Sequence, residues 1–176
     1  IVGNARGDVA FYRLVFGEGI NPTDWLQIGP DHPNQVDNNV LENLDTTGLQ
    51  DGIYTLQLVV VGGDQQLRQA TIQLTVDNTP PKVDLTFPLA GSEFETGLVE
   101  WVNINAEVND NLALSRVEFY QGDQAEPFSV RTIAPFNVNW TLRPPGQYSF
   151  RVIAYDAAGN KTETESVTIR VIPRQE

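Results

Sequence analysis

The sequence predicts an all-β chain made of two tandem antiparallel β-sandwiches, on the strength of three observations. An internal repeat runs through it, its apolar residues alternate with period two, and a Pro-Pro pair separates the two copies. In the repeat, Asp51-Gly52-Ile53-Tyr54-Thr55-Leu56-Gln57-Leu58-Val59 lines up with Pro145-Gly146-Gln147-Tyr148-Ser149-Phe150-Arg151-Val152-Ile153. Downstream, Thr71-Ile72-Gln73-Leu74-Thr75-Val76 matches Val167-Thr168-Ile169-Arg170-Val171, and upstream Tyr12 to Gly17 mirrors Val117 to Gly122. The spacing between copies is that of one small sandwich.

Alternation supplies the second argument. Val102, Ile104, Ala106 and Val108 alternate with Asn103, Asn105 and Glu107. Phe136, Val138, Trp140 and Leu142 alternate with Asn137, Asn139 and Thr141, and Tyr148, Phe150, Val152 and Ala154 keep the same period. Such strands bury one face and solvate the other. Amphipathic helices are not expected, and Gly62-Gly63-Asp64 reads as a hairpin turn. Leu49-Gln50-Asp51-Gly52-Ile53-Tyr54 fits Leu-x-x-Gly-x-Tyr, the tyrosine-corner pattern. In the second copy Leu142 stands one residue farther from Gly146 and Tyr148, which predicts a looser corner.

Between the copies, Asp77-Asn78-Thr79-Pro80-Pro81 lacks two backbone N–H groups and so ends the ladder in a stiff joint. The domains are therefore expected at 1–78 and 79–176. Ahead of the strand at Tyr12, the first copy has only Ile1 to Ala10, where the second has Val83 to Leu114. The first module is expected to lack its leading strand. The chain opens on Ile1-Val2-Gly3-Asn4 with no signal-peptide pattern and holds no Met, which reads as a fragment or processed product of a longer protein.

Composition narrows the function classes. The chain of 176 residues carries a net charge of −12 at pH 7, the wrong sign for phosphate backbones or anionic lipid. No apolar run approaches the ~20 residues needed to cross a bilayer as a helix. With no Cys, thiol catalysis, disulfides and thiolate zinc sites are excluded. The only His, His32, falls in Gly29-Pro30-Asp31-His32-Pro33, read as a polar turn that cannot aim it as a catalytic base. Carboxylates are plentiful, but nothing marks a cleft-forming insertion that would pair two of them for glycoside hydrolysis. No catalytic residue is assigned, and the chain is expected to be a non-enzymatic monomer.

Several stretches resemble known modules. Phe11 to Gly17, Pro22-Thr23-Asp24-Trp25, Leu44 to Leu49, Asp51 to Leu56 and Val76 to Pro81 resemble a fibronectin type III-like bacterial extracellular sandwich. Pro88-Leu89-Ala90-Gly91-Ser92, Asn109-Asp110-Asn111, Val117 to Tyr120 and Tyr155-Asp156-Ala157-Ala158-Gly159-Asn160 resemble a bacterial Ig-like domain. Similar pairs follow the transpeptidase domain of some bifunctional penicillin-binding proteins, although Ser-x-x-Lys, Ser-x-Asn and Lys-Thr-Gly are missing from this chain. The resemblance implies an extracytoplasmic, noncatalytic spacer or interaction region of a cell-envelope protein, with neighbouring domains of the parent as partners. Cell-wall or other polysaccharide is the alternative partner.

Two sets of residues could hold a ligand. In an Ig-like sandwich the loops carrying Asp110 with Asn111 and Asp156 with Asn160 lie at the end where the chain enters. With the connector's Asp77, and Asp45 and Asp51 of the first module facing them, they form a candidate calcium site at the module junction; the chain is read as holding no cofactor or, at this site, calcium. The competing reading is turn chemistry, since Asp and Asn close turns with their own side chains. Trp101 is out of phase with the core face and Trp25 sits in a loop, so these two are candidates for stacking on a glycan. Trp140 is in phase with the core.

Overall fold

A computed structural model describes residues 1–175 of the chain, all of them strands, turns and loops. It divides into two compact units, Ile1–Asn78 and Thr79–Glu176.

In the first unit β1 (Val2–Ala5) pairs with β4 (Val36–Val40), and a second sheet runs β3 (Leu26–His32), β2 (Phe11–Glu18), β5 (Gly52–Val61), β6 (Leu67–Val76). The alternating residues Tyr12, Leu14 and Phe16 of β2 and Tyr54 and Leu56 of β5 turn inward to meet Ala5, Ile28, Leu41 and Val76. Two strands are too narrow to cover four. The periodic apolar residues of β6 are accordingly only partly used: Val76 is buried while Ile72 remains 59% exposed. Ala70 and Ile72 line an apolar groove with Val2, Leu41 and Leu58.

The expectation for His32 is corrected. It is the last residue of β3, paired with Tyr12 across the sheet. Its ring stacks on Tyr12 at 4.8 Å between centroids, and Nε2 lies 3.0 Å from Glu42 Oε2. A register shift between Tyr12 and Leu14 lets β3 continue through Gly29 and Pro30, which the composition of that stretch does not suggest.

The second unit faces a three-stranded sheet, β12 (Asn137–Thr141), β9 (Trp101–Asn109), β7 (Lys82–Phe87), with a larger one. That sheet runs β11 (Ser129–Arg131), β10 (Leu114–Gln121), β13 (Gly146–Asp156), β15 (Val167–Ile172), β8 (Glu93–Glu95), with β14 (Lys161–Glu163) also on β13. Both sheets supply the core: Val102, Ile104, Val138 and Trp140 from one, Val117, Phe119, Phe150 and Val152 from the other. Phe119 and Phe150 are fully buried, each contributing about 1.5–3 kcal/mol of hydrophobic free energy. Trp140 is core as its phase predicts, and its indole N–H reaches Gln121 Oε1 at 2.8 Å.

Both tyrosine corners form. Tyr54 donates its hydroxyl to Gln50 O at 3.1 Å, and Tyr148 donates to Pro144 O at 2.8 Å. The second corner is thus not looser, contrary to the spacing argument. The bond is set by the Tyr and the residue four before it, whereas Leu142 packs against the core and takes no part in it.

Candidate functional site

The outward face of the β12–β9–β7 sheet is built by alternation. With Val102, Ile104 and Ala106 inside, β9 presents Trp101, Asn103, Asn105 and Glu107 to the other side, and β12 presents Asn137, Asn139 and Thr141. Their register aligns the residues in rows: Thr141 faces Trp101, Asn139 faces Asn103, and Asn137 faces Asn105. The Asn103 side-chain amide donates to Asn139 Oδ1 at 2.8 Å. Trp101, at one end of the rows, is 53% exposed, as its phase predicts. Sequence reasoning treated the asparagines only as the wet side of two strands. The signal was their residue type, since Asn is depleted in strands.

Trp25 lies in the loop ahead of β3 and is 38% exposed. It belongs to the first unit, and Trp101 to the second.

The acidic candidates divide likewise. Asp77 directly follows β6 in the first unit, where Asp45 accepts the Thr47 N–H and hydroxyl and Asp51 accepts the Asn78 N–H. In the second unit Lys82 pairs with Asn109, so the start of β7 lies beside the β9 end that leads into Asp110 and Asn111. Oxygens of Asp110 and Asp156 come within 4.8 Å of one another. Asp156 is buried. Its Oδ1 accepts the N–H groups of Gly159 and Asn160 at 2.7 and 2.8 Å, and its Oδ2 accepts the Asn160 amide at 2.7 Å. Gly159 has φ of 98°, a conformation that costs glycine least. This is the turn chemistry, and it occupies most of the Asp156 lone pairs. Asp110 differs: Oδ2 accepts the Leu112 N–H at 3.0 Å, but Oδ1 is buried with no hydrogen-bond partner among the described residues.

A third cluster went unnoticed in the sequence. On the outward phase of β10, Glu118 takes the Arg116 Nε–H and the Tyr120 hydroxyl, each at 2.6 Å. Arg116 lies over the Tyr155 ring at 3.7 Å and Arg151 over Tyr120 at 4.2 Å. Burial works to raise the Glu118 pKa, but the Tyr120 and Arg116 hydrogen bonds outweigh it and hold the carboxyl below its ordinary value. The hydrogen bond to Glu118, with burial second, pushes the Tyr120 phenol up to about 12. Every member is satisfied, which marks a structural network.

Residues 81–152 match the family model described as the bacterial Ig domain. Among solved structures, the fibronectin(III)-like modules of Clostridium thermocellum CbhA are 22% identical with a TM-score of 0.52, covering 96% of this chain and 82% of theirs. An adhesin of Streptococcus sanguinis, SrpA, aligns at 18% identity and a TM-score of 0.40, covering 56% of this chain and 61% of its own. A search of curated proteins returns no match. The fold is the Ig-like or fibronectin type III-like β-sandwich.

Proposed function

We propose that the chain is a noncatalytic spacer and interaction region of a bacterial extracytoplasmic protein, and that it holds a neighbouring domain at a set reach. The observation that carries this reading is the connector. Asn78 is fastened to its own unit through its N–H on Asp51 and its side-chain amide on Thr46 O and Leu49 O. Pro81 is buried, and β7 begins at Lys82. Only Thr79, Pro80 and Pro81 separate the anchored Asn78 from β7, and two of the three have φ fixed by their rings. A semi-rigid joint of this kind transmits position, which a flexible linker does not. A penicillin-binding protein or similar envelope enzyme is the parent we favour, on the sequence resemblance alone.

The chain has no Cys, so Gln69→Cys and Arg143→Cys place one spin label on each unit. The reading expects a narrow label-to-label distance distribution that broadens in P80G/P81G. A wild-type distribution as broad as the variant's would refute it.

We further propose a cation site at Asp110 Oδ1 beside Asp156; the two carboxylates offer oxygens of the kind calcium takes, at most four of its usual six to eight, and water would complete the shell. Excess calcium should raise the melting temperature relative to chelator in wild type and not in D110N; equal melting temperatures in wild type would remove the idea.

A second reading, binding of cell-wall or other polysaccharide, is favoured by the exposed indole of Trp101.

A further inference from the structure

Five asparagines lie on β9 and β12: Asn103, Asn105, Asn109, Asn137 and Asn139. Asn is among the residues least suited to strands, whereas Thr or Val at such solvent-facing positions would favour the sheet. A local rule broken repeatedly on one face points to a task for that face. Four of the five form a two-by-two array through the pairs Asn139–Asn103 and Asn137–Asn105. The amides of Asn105 and Asn137 make no side-chain hydrogen bond to any described residue. Each unspent amide offers two donors and an acceptor in a plane.

We propose that this array, with Trp101 as its stacking end, is a binding face for a neutral polysaccharide chain; the inference rests on the polysaccharide reading above and gives it a site and a ligand class. Three features of the face select that class. Its centre is uncharged in a protein of net charge −12, so neither an anionic nor a cationic polymer finds a counter-charge among the four amides. Amides that both donate and accept match sugar hydroxyls, which do the same. An exposed indole offers the flat apolar surface on which the C–H face of a pyranose ring rests, with its N–H as a polar handle.

The geometry fits a linear ligand. Outward residues on β9 recur every ~6.6 Å and neighbouring strands lie ~4.8 Å apart. From Trp101 to Glu107 the face therefore extends ~20 Å along the strand, the length of a short oligosaccharide. Because the side chains stand on two hydrogen-bonded strands of a sandwich, the face is set before the ligand arrives, which lowers the ordering cost of binding.

The test is affinity electrophoresis of the whole chain in gels holding hydroxyethyl cellulose, mixed-linkage β-glucan or galactomannan, beside a pull-down on peptidoglycan sacculi. The variants are W101A, W25A and N105T/N137T. Thr suits a strand better than Asn, so the double variant keeps the fold and removes two amides. The expected result is retardation by at least one neutral polysaccharide, weakened about tenfold in W101A and in N105T/N137T, as the loss of aromatic or hydrogen-bonding contacts worth about 1.4 kcal/mol in total implies. W25A should bind as wild type does.

Retardation abolished in W25A but untouched in W101A and N105T/N137T would overturn the site and leave the polysaccharide reading standing. Binding to sacculi without retardation by any neutral polysaccharide would overturn the ligand class. No binding in any arm would remove both.

Discussion

Asn78 donates its backbone N–H to Asp51 Oδ1 at 2.6 Å, tying the first unit's last residue to the loop ahead of β5. The carboxylate reaches a backbone group that no sheet partner satisfies, and the Asn78 side chain completes the clasp on Thr46 and Leu49.

Removing that acceptor should loosen the end of the first unit. D51A is expected to destabilise it by about 1 kcal/mol, read from urea denaturation of the whole chain. A D51N variant keeps an acceptor and should recover most of the loss.

The two tyrosine corners give a graded pair. Tyr54 is buried and Tyr148 only partly so. Y54F should cost about 1 kcal/mol and Y148F less, because water can replace the lost partner at the second site. Equal losses in calorimetry would show that exposure does not control the corner.

The two cores should report separately. Phe119→Ala, in the second unit's core, should cost about 3–5 kcal/mol and Leu14→Ala, in the first, about 2–5 kcal/mol. In a calorimetric scan, each is expected to lower one unfolding transition and leave the other in place.

The Glu118–Tyr120 pair sets two pH limits on the second unit. Glu118 has its pKa lowered in the fold, so its contribution is present above the ordinary carboxylate value and is lost as pH falls through the lowered one. Tyr120 is raised to about 12 from 10.0. The folded phenol stays protonated while the unfolded one ionises, so stability declines as pH rises from 10 toward 12. E118Q should flatten the acid limb and Y120F should weaken the alkaline one, both followed by denaturant midpoints across pH.

Alternation made β9, β12 and β13 legible because one face of each strand is core and the other is wet. His32 was misread because Gly29, Pro30 and Pro33 signal a turn, while a register shift and a stacked Tyr12 override them. The Asn103–Asn139 bond could not be read, since period two gives each strand's faces but not which residues of two distant strands stand opposite. Asp156 was legible as turn chemistry from Asp-x-x-Gly-Asn. The orphaned Oδ1 of Asp110 was not, because burial of a single atom depends on chain far away in sequence.

The stiff connector proposed between the two sandwiches is tested most directly by residual dipolar couplings measured on both units of one sample. A single alignment tensor is expected to fit both sets, and inserting Gly-Ser-Gly-Ser between Thr79 and Pro80 is expected to split them. Tensors of clearly different magnitude in the wild-type chain would contradict it.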